Sequence, residues 1–306
     1  MNANSPAQRS SWRDLYPFDS NFLTLGKNGL GKNGHAKNRL HYIDAGQGSP
    51  LLFVHGNPTW SFYYRDLINH FSANHRAVAV DNLGCGLSDK PSEYNYSLSQ
   101  HIDNLVNLID ELDLKDATLV AHDWGGAIGL GALLKRKERF QNIVLFNTAA
   151  FPPPYIPFRI RVCRWPIFGP IAVRGFNGFA RAAITMATEQ KGGLQSEVAA
   201  GLLAPYNNWS NRVAIQNFVN DIPLTANHPT WKTLQDIETG LPALQDSMRI
   251  KLIWGMKDWC FRPECLDRFR SYWPKADVSE FADAGHYVVE DKTQPIIKLM
   301  SDFLKA

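Results

Sequence analysis

The sequence predicts an α/β fold with a mostly parallel sheet flanked by helices. From residue 51 to residue 146, short apolar runs alternate with segments of helical periodicity. The alternation stops at Phe151, where a proline-rich stretch begins, and it resumes at Lys251. Strands that alternate with helices form parallel sheets through right-handed crossovers, so these three observations together favour this fold class.

The first half of the chain predicts a hairpin followed by four strands. The hairpin strands are Phe22–Leu25 and Leu40–Asp44, and a tandem LGKNG repeat between them predicts a loop, because each unit ends in the turn signal Asn-Gly. Hydrophobic periodicity then predicts the strands Leu51–Val54, Ala77–Val80, Ala117–Ala121 and Ile143–Phe146, and the helices Phe62–Phe71, Leu98–Leu112 and Ala127–Leu134.

The segment after Phe146 predicts a helical insertion. Four prolines at 152, 153, 154 and 157 break the rhythm, and no convincing strand follows before Thr230. Strands return at Lys251–Trp254 and Val278–Phe281, before a helix at Pro295–Leu304. We therefore expect a core of residues 1–149 and 231–306 and a cap of residues 150–230 inserted after the sixth strand. Such insertions lie at the carboxyl edge of the sheet, where these folds place their sites.

The composition is that of an ordinary globular protein. The 306 residues are 44% apolar and 20% charged, with a formal net charge of +3, which favours a solvated mixed-charge surface over nucleic-acid binding. No stretch reaches the roughly 18 apolar residues of a membrane span, and the N-terminus lacks the apolar run of a secretory signal. The four cysteines fit no zinc spacing. We expect reduced thiols, a cytoplasmic protein and no metal; the sequence is silent on oligomeric state.

The candidate nucleophile is Asp123. It stands where the apolar strand ending at Ala121 runs straight into a helix, with small residues two positions before it and, at Gly125, two positions after it. This is the spacing of a nucleophile elbow, whose sharp turn exposes the central side chain above the sheet. The alternative, that Asp123 only caps the helix, would not require the small residues around it.

Aspartate at the elbow predicts covalent chemistry at saturated carbon. A carboxylate is anionic at neutral pH and attacks without a base, whereas a serine must first lose a proton. It is a weak nucleophile, suited to displacing a good leaving group or opening a strained ring. The product is an ester at Asp123, and attack of water on that ester does need a base.

The candidate base and acid lie late in the chain. His286 follows a short apolar strand and a glycine, which is the place that this fold gives to the base. Asp258 follows the preceding strand and would orient His286 and stabilise its positive charge. Asp283 is the other candidate acid, but it lies three residues from His286, a poor position from which to reach the imidazole. The order nucleophile, acid, base is that of α/β-hydrolases.

Two further residues are candidates for anion binding. Asn57 lies in the loop after the third strand, and Trp124 follows the nucleophile. Their backbone N–H groups would bracket an ester oxyanion. Their side chains carry neutral donors, an amide and an indole N–H, which could hold a departing halide. The alternative interpretation is that Trp124 is packing and Asn57 is a turn residue.

The chain resembles the haloalkane dehalogenases of the α/β-hydrolase superfamily. The matching segments are HGNPTWSFYYR (His55–Arg65), DNLGCGLSDKP (Asp81–Pro91), HDWGG (His122–Gly126), WGMKD (Trp254–Asp258) and AGHYVVED (Ala284–Asp291). The resemblance implies the α/β-hydrolase fold and no metal or organic cofactor. Some members of this family carry the acid as Glu after the sixth strand, where this chain has Asn147 and Thr148. In one branch a cap tryptophan replaces the Asn donor, and this cap contains Trp165, Trp209 and Trp231.

The resemblance leaves three activities open. The leading hypothesis is dehalogenation, in which Asp123 displaces halide from an apolar substrate and His286 drives water onto the ester. The second is decarboxylation of long-chain β-lactones with the same Asp, His and Asp. It is indicated by the cap segments NTAAFPPP (Asn147–Pro154), APYNNW (Ala204–Trp209) and DIPL (Asp221–Leu224), which look closer to that branch. Epoxide hydrolysis, the third, needs cap tyrosines such as Tyr155 and Tyr206. A complete triad argues against a binding protein without activity.

Overall fold

Eight strands make up one sheet in a computed structural model that describes residues 11–26 and 38–305. In chain order the strands are β1 (Asn21–Thr24), β2 (Arg39–Ala45), β3 (Pro50–Val54), β4 (Arg76–Val80), β5 (Ala117–Asp123), β6 (Phe140–Thr148), β7 (Arg249–Gly255) and β8 (Asp277–Phe281). Their order across the sheet is β1-β2-β4-β3-β5-β6-β7-β8. Strand β2 pairs antiparallel with β1 and β4, and all other pairings are parallel.

Helices cover both faces of the sheet and also form the cap. Those of the core are α1 (Arg65–Phe71), α2 (Leu98–Glu111) and α3 (Trp124–Lys135); those between β6 and β7 are α4 (Phe158–Val162), α5 (Phe168–Pro170), α6 (Gly178–Met186), α7 (Ser196–Leu203), α8 (Val213–Asp221) and α9 (Pro229–Gly240); the last are α10 (Pro263–Tyr272), α11 (Val288–Asp291) and α12 (Thr293–Lys305). A π-helix follows α5 at Ile171–Gly175. The predicted fold class is confirmed. Most of the LGKNG repeat lies outside the described residues.

Burial explains why the central strands read as continuous apolar runs. Every residue of β3 and β5 is buried, because helices lie against both faces of the sheet. Helix α2 shows the opposite pattern, with one apolar face turned to the sheet and an N-cap at Ser97, whose Oγ accepts from the backbone N–H of Gln100. The strand and helix patterns therefore come from the same layered arrangement.

The carboxylate of Asp81, the first residue after β4, joins a neighbouring strand and two loops. Asp81 accepts hydrogen bonds from the backbone N–H groups of Ser61 and Leu87 at 2.7 and 2.8 Å, and from Nδ1 of His41 at 2.8 Å. Burial alone would raise the pKa of Asp81, but His41 and these donors outweigh it and lower the pKa to about 2. The carboxylate thus ties β2 and the two loops after β3 and β4 to each other.

The predicted cap boundaries remain a prediction. Strand β6 ends at Thr148, and α4, the π-helix, α6, α7 and α8 follow it without a strand. Helix α9 packs on α2 and α3 of the core, and it begins at Pro229, so the predicted boundary at 230 falls inside its first turn. None of the helices within residues 11–26 and 38–305 combines the length and apolar character that crossing a bilayer requires.

A buried ion pair links the start of α1 to the segment that carries the candidate base. Arg65 donates from Nη1 and Nη2 to the two carboxylate oxygens of Glu290 in α11, at 2.6 and 2.9 Å. Both side chains are almost fully buried. This bidentate pair fixes α11, which begins two residues after His286.

Replacing Glu290 with Gln is expected to lower the free energy of unfolding by about 3 kcal/mol, because the buried guanidinium of Arg65 would lose its bidentate partner and keep only the half-exposed carboxylate of Asp66, at 3.2 Å. Urea unfolding followed by far-UV circular dichroism measures the change. The control is Lys135→Gln, which removes the half-exposed pair with Asp103 and should cost at most about 1 kcal/mol. Equal losses in the two variants would contradict the prediction.

Candidate active site

Asp123 stands at a strained junction between strand and helix. It is the last residue of β5 and the N-cap of α3, with φ 54° and ψ −131°, a conformation that non-glycine residues rarely adopt. A Cβ at Gly125 would lie 2.0 Å from the carbonyl oxygen of Val54, and one at Gly126 would lie 1.9 Å from Oγ1 of Thr148. Gly125, one of the two small residues that predicted the elbow, is therefore sterically required by β3, and Gly126 is required by β6.

The backbone N–H groups of Asn57 and Trp124 meet at one oxygen of the nucleophile. They donate to Oδ1 of Asp123 at 2.8 and 2.5 Å. A Cβ at Gly56 would lie 2.2 Å from the same oxygen, so this glycine makes room for the carboxylate. If an ester forms through Oδ2, Oδ1 becomes its carbonyl oxygen and already lies between both donors. This geometry suits an oxyanion hole.

The structure brings His286 and Asp258 to the nucleophile. Nε2 of His286 lies 3.5 Å from Oδ2 of Asp123, and its Nδ1 lies 2.8 Å from Oδ2 of Asp258. The other oxygen of Asp258 accepts from the backbone N–H groups of Cys260 and Phe261 at 2.6 and 3.1 Å. The competing candidate, Asp283, is exposed and pairs with Lys292. The geometry therefore suits Asp258 as the orienting acid, although its role remains a prediction.

Charge in the site keeps the imidazole protonated. Burial alone would lower the pKa of His286, but the carboxylates of Asp258 and Asp123 outweigh it and raise the pKa to about 10. Burial would likewise raise the pKa of Asp258, yet the His286 imidazolium and two backbone donors hold it below its usual range. At neutral pH the resting site therefore holds an imidazolium between two carboxylates.

The two predicted halide donors differ in how free their side chains are. One N–H of the Asn57 amide donates to the carbonyl oxygen of Ile215 at 3.3 Å, and its Oδ1 is buried without a partner in the described part of the chain. The indole of Trp124 packs on Phe218 with ring centroids 5.4 Å apart, and no hydrogen bond of its Nε1 occurs among the described residues. Trp124 thus has a free donor, whereas the amide of Asn57 is partly engaged.

A large apolar cavity lies above the nucleophile. Its volume is about 580 Å³, and Asp123, Trp124 and His286 lie on its lining. The cap supplies much of the remaining wall, including Ile160, Val173, Phe179, Val219 and Ile222. The charged side chains in this lining are Asp123, His286 and Arg159. Charged groups are therefore few in this lining, and the rest of the wall is apolar enough to hold a hydrocarbon chain.

Two residues that sequence reasoning missed hold the base and the elbow. His122 donates from Nε2 to the carbonyl oxygen of His286 at 2.8 Å, and the two rings lie 4.5 Å apart. Burial, aided by the neighbouring imidazolium, lowers the pKa of His122 to about 3, so the ring is neutral. Thr148 donates from Oγ1 to the carbonyl oxygen of Asp123 at 2.5 Å. The HDWGG motif contained His122, but nothing in the sequence indicated its partner.

Asn147 is a third missed residue. Its amide donates to the carbonyl oxygen of Gly255 at 3.0 Å and accepts from the backbone N–H of the same residue at 2.8 Å. This pair of hydrogen bonds ties the end of β6 to the end of β7, three residues before Asp258. Some haloalkane dehalogenases carry the orienting acid as a glutamate after the sixth strand. In this chain the same region holds Asn147, which joins two strands.

The remaining candidates are less well placed. Tyr206 is fully buried, donates to the carbonyl oxygen of Thr59 and is absent from the cavity lining. Tyr155 does line the cavity, under the guanidinium of Arg262. The cap tryptophans 165, 209 and 231 do not line it. In the part of the chain that the structure describes, no group of three or more His, Cys, Asp or Glu is arranged to hold a metal, and the four cysteines are free.

Comparisons with known proteins identify the family of the chain. Residues 49–293 match the family described as alpha/beta hydrolase fold. A cis-3-alkyl-4-alkyloxetan-2-one decarboxylase of Shewanella oneidensis is 38% identical over 296 residues, which cover 95% of this chain and 89% of the relative. The haloalkane dehalogenase 2 of Mycobacterium tuberculosis is 32% identical over 284 residues, covering 90% and 92%. The crystal structure of the dehalogenase DatA of Agrobacterium tumefaciens has a TM-score of 0.80 at 22% identity, covering 94% and 96%, and shows the fold alone.

Replacing His122 with Leu is expected to displace His286, because the carbonyl oxygen of His286 loses its buried donor. His122→Gln is the matched control, since its amide nitrogen can take the position of Nε2. In proton NMR, the downfield Nδ1 proton of His286 should persist in the Gln variant and broaden or vanish in the Leu variant. Turnover should fall roughly 100-fold in the Leu variant alone. Equal behaviour of the two variants would contradict this positioning role.

Proposed function

The chain belongs to the α/β-hydrolase family, in the branch of β-lactone decarboxylases and haloalkane dehalogenases, and we propose that it converts dialkyl β-lactones to alkenes and carbon dioxide. Asp123 is the nucleophile, His286 the cationic partner and Asp258 the acid that orients it. The predicted first choice, dehalogenation, becomes the second candidate. The substrate is a small apolar molecule, no cofactor takes part, and the enzyme works in the cytoplasm.

The size and character of the cavity carry this proposal. A cavity of about 150 Å³ is enough to hold benzene, so the 580 Å³ above Asp123 would be mostly empty around a short haloalkane. It falls within the range of sites that enclose molecules of drug size. A four-membered lactone with two alkyl chains needs such a space, with its polar ring at the floor and its chains against the cap. The decarboxylase relative is also more similar to the chain than the dehalogenase relative.

The reaction follows from a carboxylate facing a strained ring. Oδ2 of Asp123 attacks the alkyl carbon that bears the ring oxygen, and the carbon–oxygen bond breaks to leave a free carboxylate on the neighbouring carbon. That carboxylate then leaves as carbon dioxide, and its electron pair forms the carbon–carbon double bond. The bond to Oδ2 breaks in the same step and returns the Asp123 carboxylate. Atoms and charge balance without water or an external base.

His286 acts in these reaction steps as an acid rather than as a base. The imidazolium at Oδ2 of Asp123 can donate to the carboxylate that forms as the ring opens, which stabilises the leaving group. The resting protonation state, with the pKa of His286 near 10, is the state that this step needs. The two N–H groups at Oδ1 keep the carboxylate aimed while Oδ2 reacts.

Haloalkane hydrolysis is the second candidate, and the free Nε1 of Trp124 favours it. That donor beside the nucleophile could hold a departing halide. Alkylation would neutralise Asp123, one of the two carboxylates that raise the pKa of His286, so the imidazole could lose its proton and then activate water. The partial engagement of the Asn57 amide by Ile215 weakens this candidate, because a second halide donor is only partly available. Epoxide hydrolysis is weaker still, since the hydroxyl of Tyr206 is already used.

The deciding experiment offers the enzyme a cis-3,4-dialkyl β-lactone and, separately, a series of 1-bromoalkanes of increasing length. We expect alkene and carbon dioxide from the lactone, measured by gas chromatography, with Asp123→Ala as the blank at roughly 10⁴-fold lower turnover. Rapid bromide release with no alkene would overturn the proposal in favour of dehalogenation.

The same reactions in ¹⁸O-labelled water separate the two chemistries at the nucleophile. Dehalogenation puts water oxygen into the Asp123 carboxylate, because water attacks the ester carbonyl. The proposed decarboxylation leaves that carboxylate unlabelled, which mass spectrometry of the peptide containing Asp123 will detect. Label in this peptide after lactone turnover would contradict the water-free sequence.

The pH dependence of lactone turnover is expected to follow the proton on His286. Because the pKa of His286 is raised to about 10, the imidazolium persists through the neutral range, and the rate should fall as the pH rises through about 10. Dehalogenation should instead need the neutral imidazole of the ester intermediate and show a rising limb at lower pH. Initial rates from about pH 6 to about pH 11 measure the profile, a range that runs from near the ordinary pKa of imidazole to above the raised pKa of His286. A lactone profile that rises with pH would contradict the acid role.

A further inference from the structure

The outer surface of the cap exposes an unusual group of large apolar side chains. We call this group the cap face; its members are between 46% and 78% exposed and comprise Phe158, Trp165, Ile167, Phe168, Ile171 and Phe176. Exposed apolar residues are normal when scattered, but six within nineteen residues of chain form a patch. Such patches mark surfaces that bind something apolar.

Ring contacts join three members of the cap face. The rings of Phe158 and Trp165 have centroids 6.3 Å apart, and so do those of Trp165 and Phe168. Ile171 follows Phe168 by three residues in the same run of helix, and the backbone N–H of Phe176 bonds to the carbonyl oxygen of Ile171. The three rings are therefore contiguous, and the other members of the cap face lie on the same stretch of chain, from α4 to the end of the π-helix.

Positive charge accompanies this surface. Residues 152–188 contain five arginines, at 159, 161, 164, 174 and 181, and no lysine, aspartate or glutamate. The composition predicted a mixed-charge surface with a small net positive charge. The arginines at 152–188 show that this positive charge is concentrated in the cap. In the described residues, none of the five lies within ion-pair distance of a carboxylate, whereas arginines of the core such as Arg76, Arg136 and Arg268 each do. Arg164 and Arg174 donate to backbone carbonyl oxygens and Arg159 lines the cavity, so Arg161 and Arg181, which are exposed, are the freest of the five.

We propose that the cap face docks the protein on an anionic lipid bilayer. Exposed Phe, Trp and Ile beside unpaired arginines is the composition of surfaces that lie in the interfacial region of a membrane, with the apolar groups in the acyl boundary and the cations among the headgroups. A second copy of the chain is a poor occupant of this surface. A two-fold symmetric contact would place the arginines of one copy against those of the other, and their like charges would repel.

The cap face lies on the outside of the elements that line the cavity. Helix α4 exposes Phe158 and Arg161, while its Ile160 lines the cavity, and the π-helix exposes Ile171 while its Val173 lines it. Docking would therefore bring the wall of the apolar cavity against the acyl chains. An apolar ligand dissolved in the bilayer could then reach the cavity by crossing the cap, without passing through water.

Vesicle co-sedimentation tests this proposal on the full chain. The probes are vesicles of phosphatidylcholine alone and of an equimolar mixture of phosphatidylcholine and phosphatidylglycerol. We expect binding to the mixed vesicles that weakens with salt. Arg161→Glu with Arg181→Glu should lower the partition coefficient by at least about 30-fold. Phe158→Ser with Ile167→Ser should also lose binding, because the inserted side chains are removed.

Matched controls lie elsewhere on the surface. Lys137→Glu makes the same charge change as Arg161→Glu alone, at an exposed position of the core, and Phe22→Ser removes an exposed ring on the edge strand; both should bind as the wild type does. Thermal unfolding identifies any variant that fails to fold, and Arg161→Glu alone is the milder substitute. No binding of the wild type to mixed vesicles at low salt would overturn the proposal. So would a dimer that the Phe158→Ser, Ile167→Ser variant dissociates, or cap variants that bind vesicles as well as the controls do.

Discussion

The geometry of the site depends on the backbone of one residue. Asp123 holds a positive φ because β5 must turn directly into α3, and that turn places its carboxylate against two backbone N–H groups. Close packing surrounds this strained turn: β3 leaves no room for a side chain at Gly125, and Thr148 leaves none at Gly126. His286 and Asp258 then need only to reach a point that the sheet has already fixed.

Charge is the second organising factor, and it couples the three candidate catalytic residues into one unit. The carboxylates of Asp258 and Asp123 both raise the pKa of His286, so the proton on the imidazole depends on their negative charge. Any reaction that esterifies Asp123 removes one of them and changes what His286 can do. The same three residues can therefore act with the imidazole as an acid or as a base, depending on whether the intermediate breaks down by elimination or by hydrolysis. The chemistry of the leaving group decides which.

Features that depend on local sequence pattern could be predicted from the sequence. Features that depend on backbone atoms far away in the chain could not. The strands were predicted within a few residues, and Asp123, His286 and Asp258 were predicted as a set because elbow spacing and chain order constrain them. His122, Asn147 and Thr148 were missed because their partners are carbonyl or N–H groups of other strands, which no side-chain pattern records. The cap face was equally hidden, since it depends on which apolar residues the cap leaves uncovered.

The tie between Asn147 and Gly255 bears on how such sites can change over time. An amide both donates and accepts, and this one uses both capacities on a single residue of β7. A carboxylate at the same position could accept but not donate, so it would lose the hydrogen bond to the carbonyl oxygen of Gly255. A shift of the orienting acid from the loop after β7 to the end of β6 would therefore give up half of this tie between the two strands.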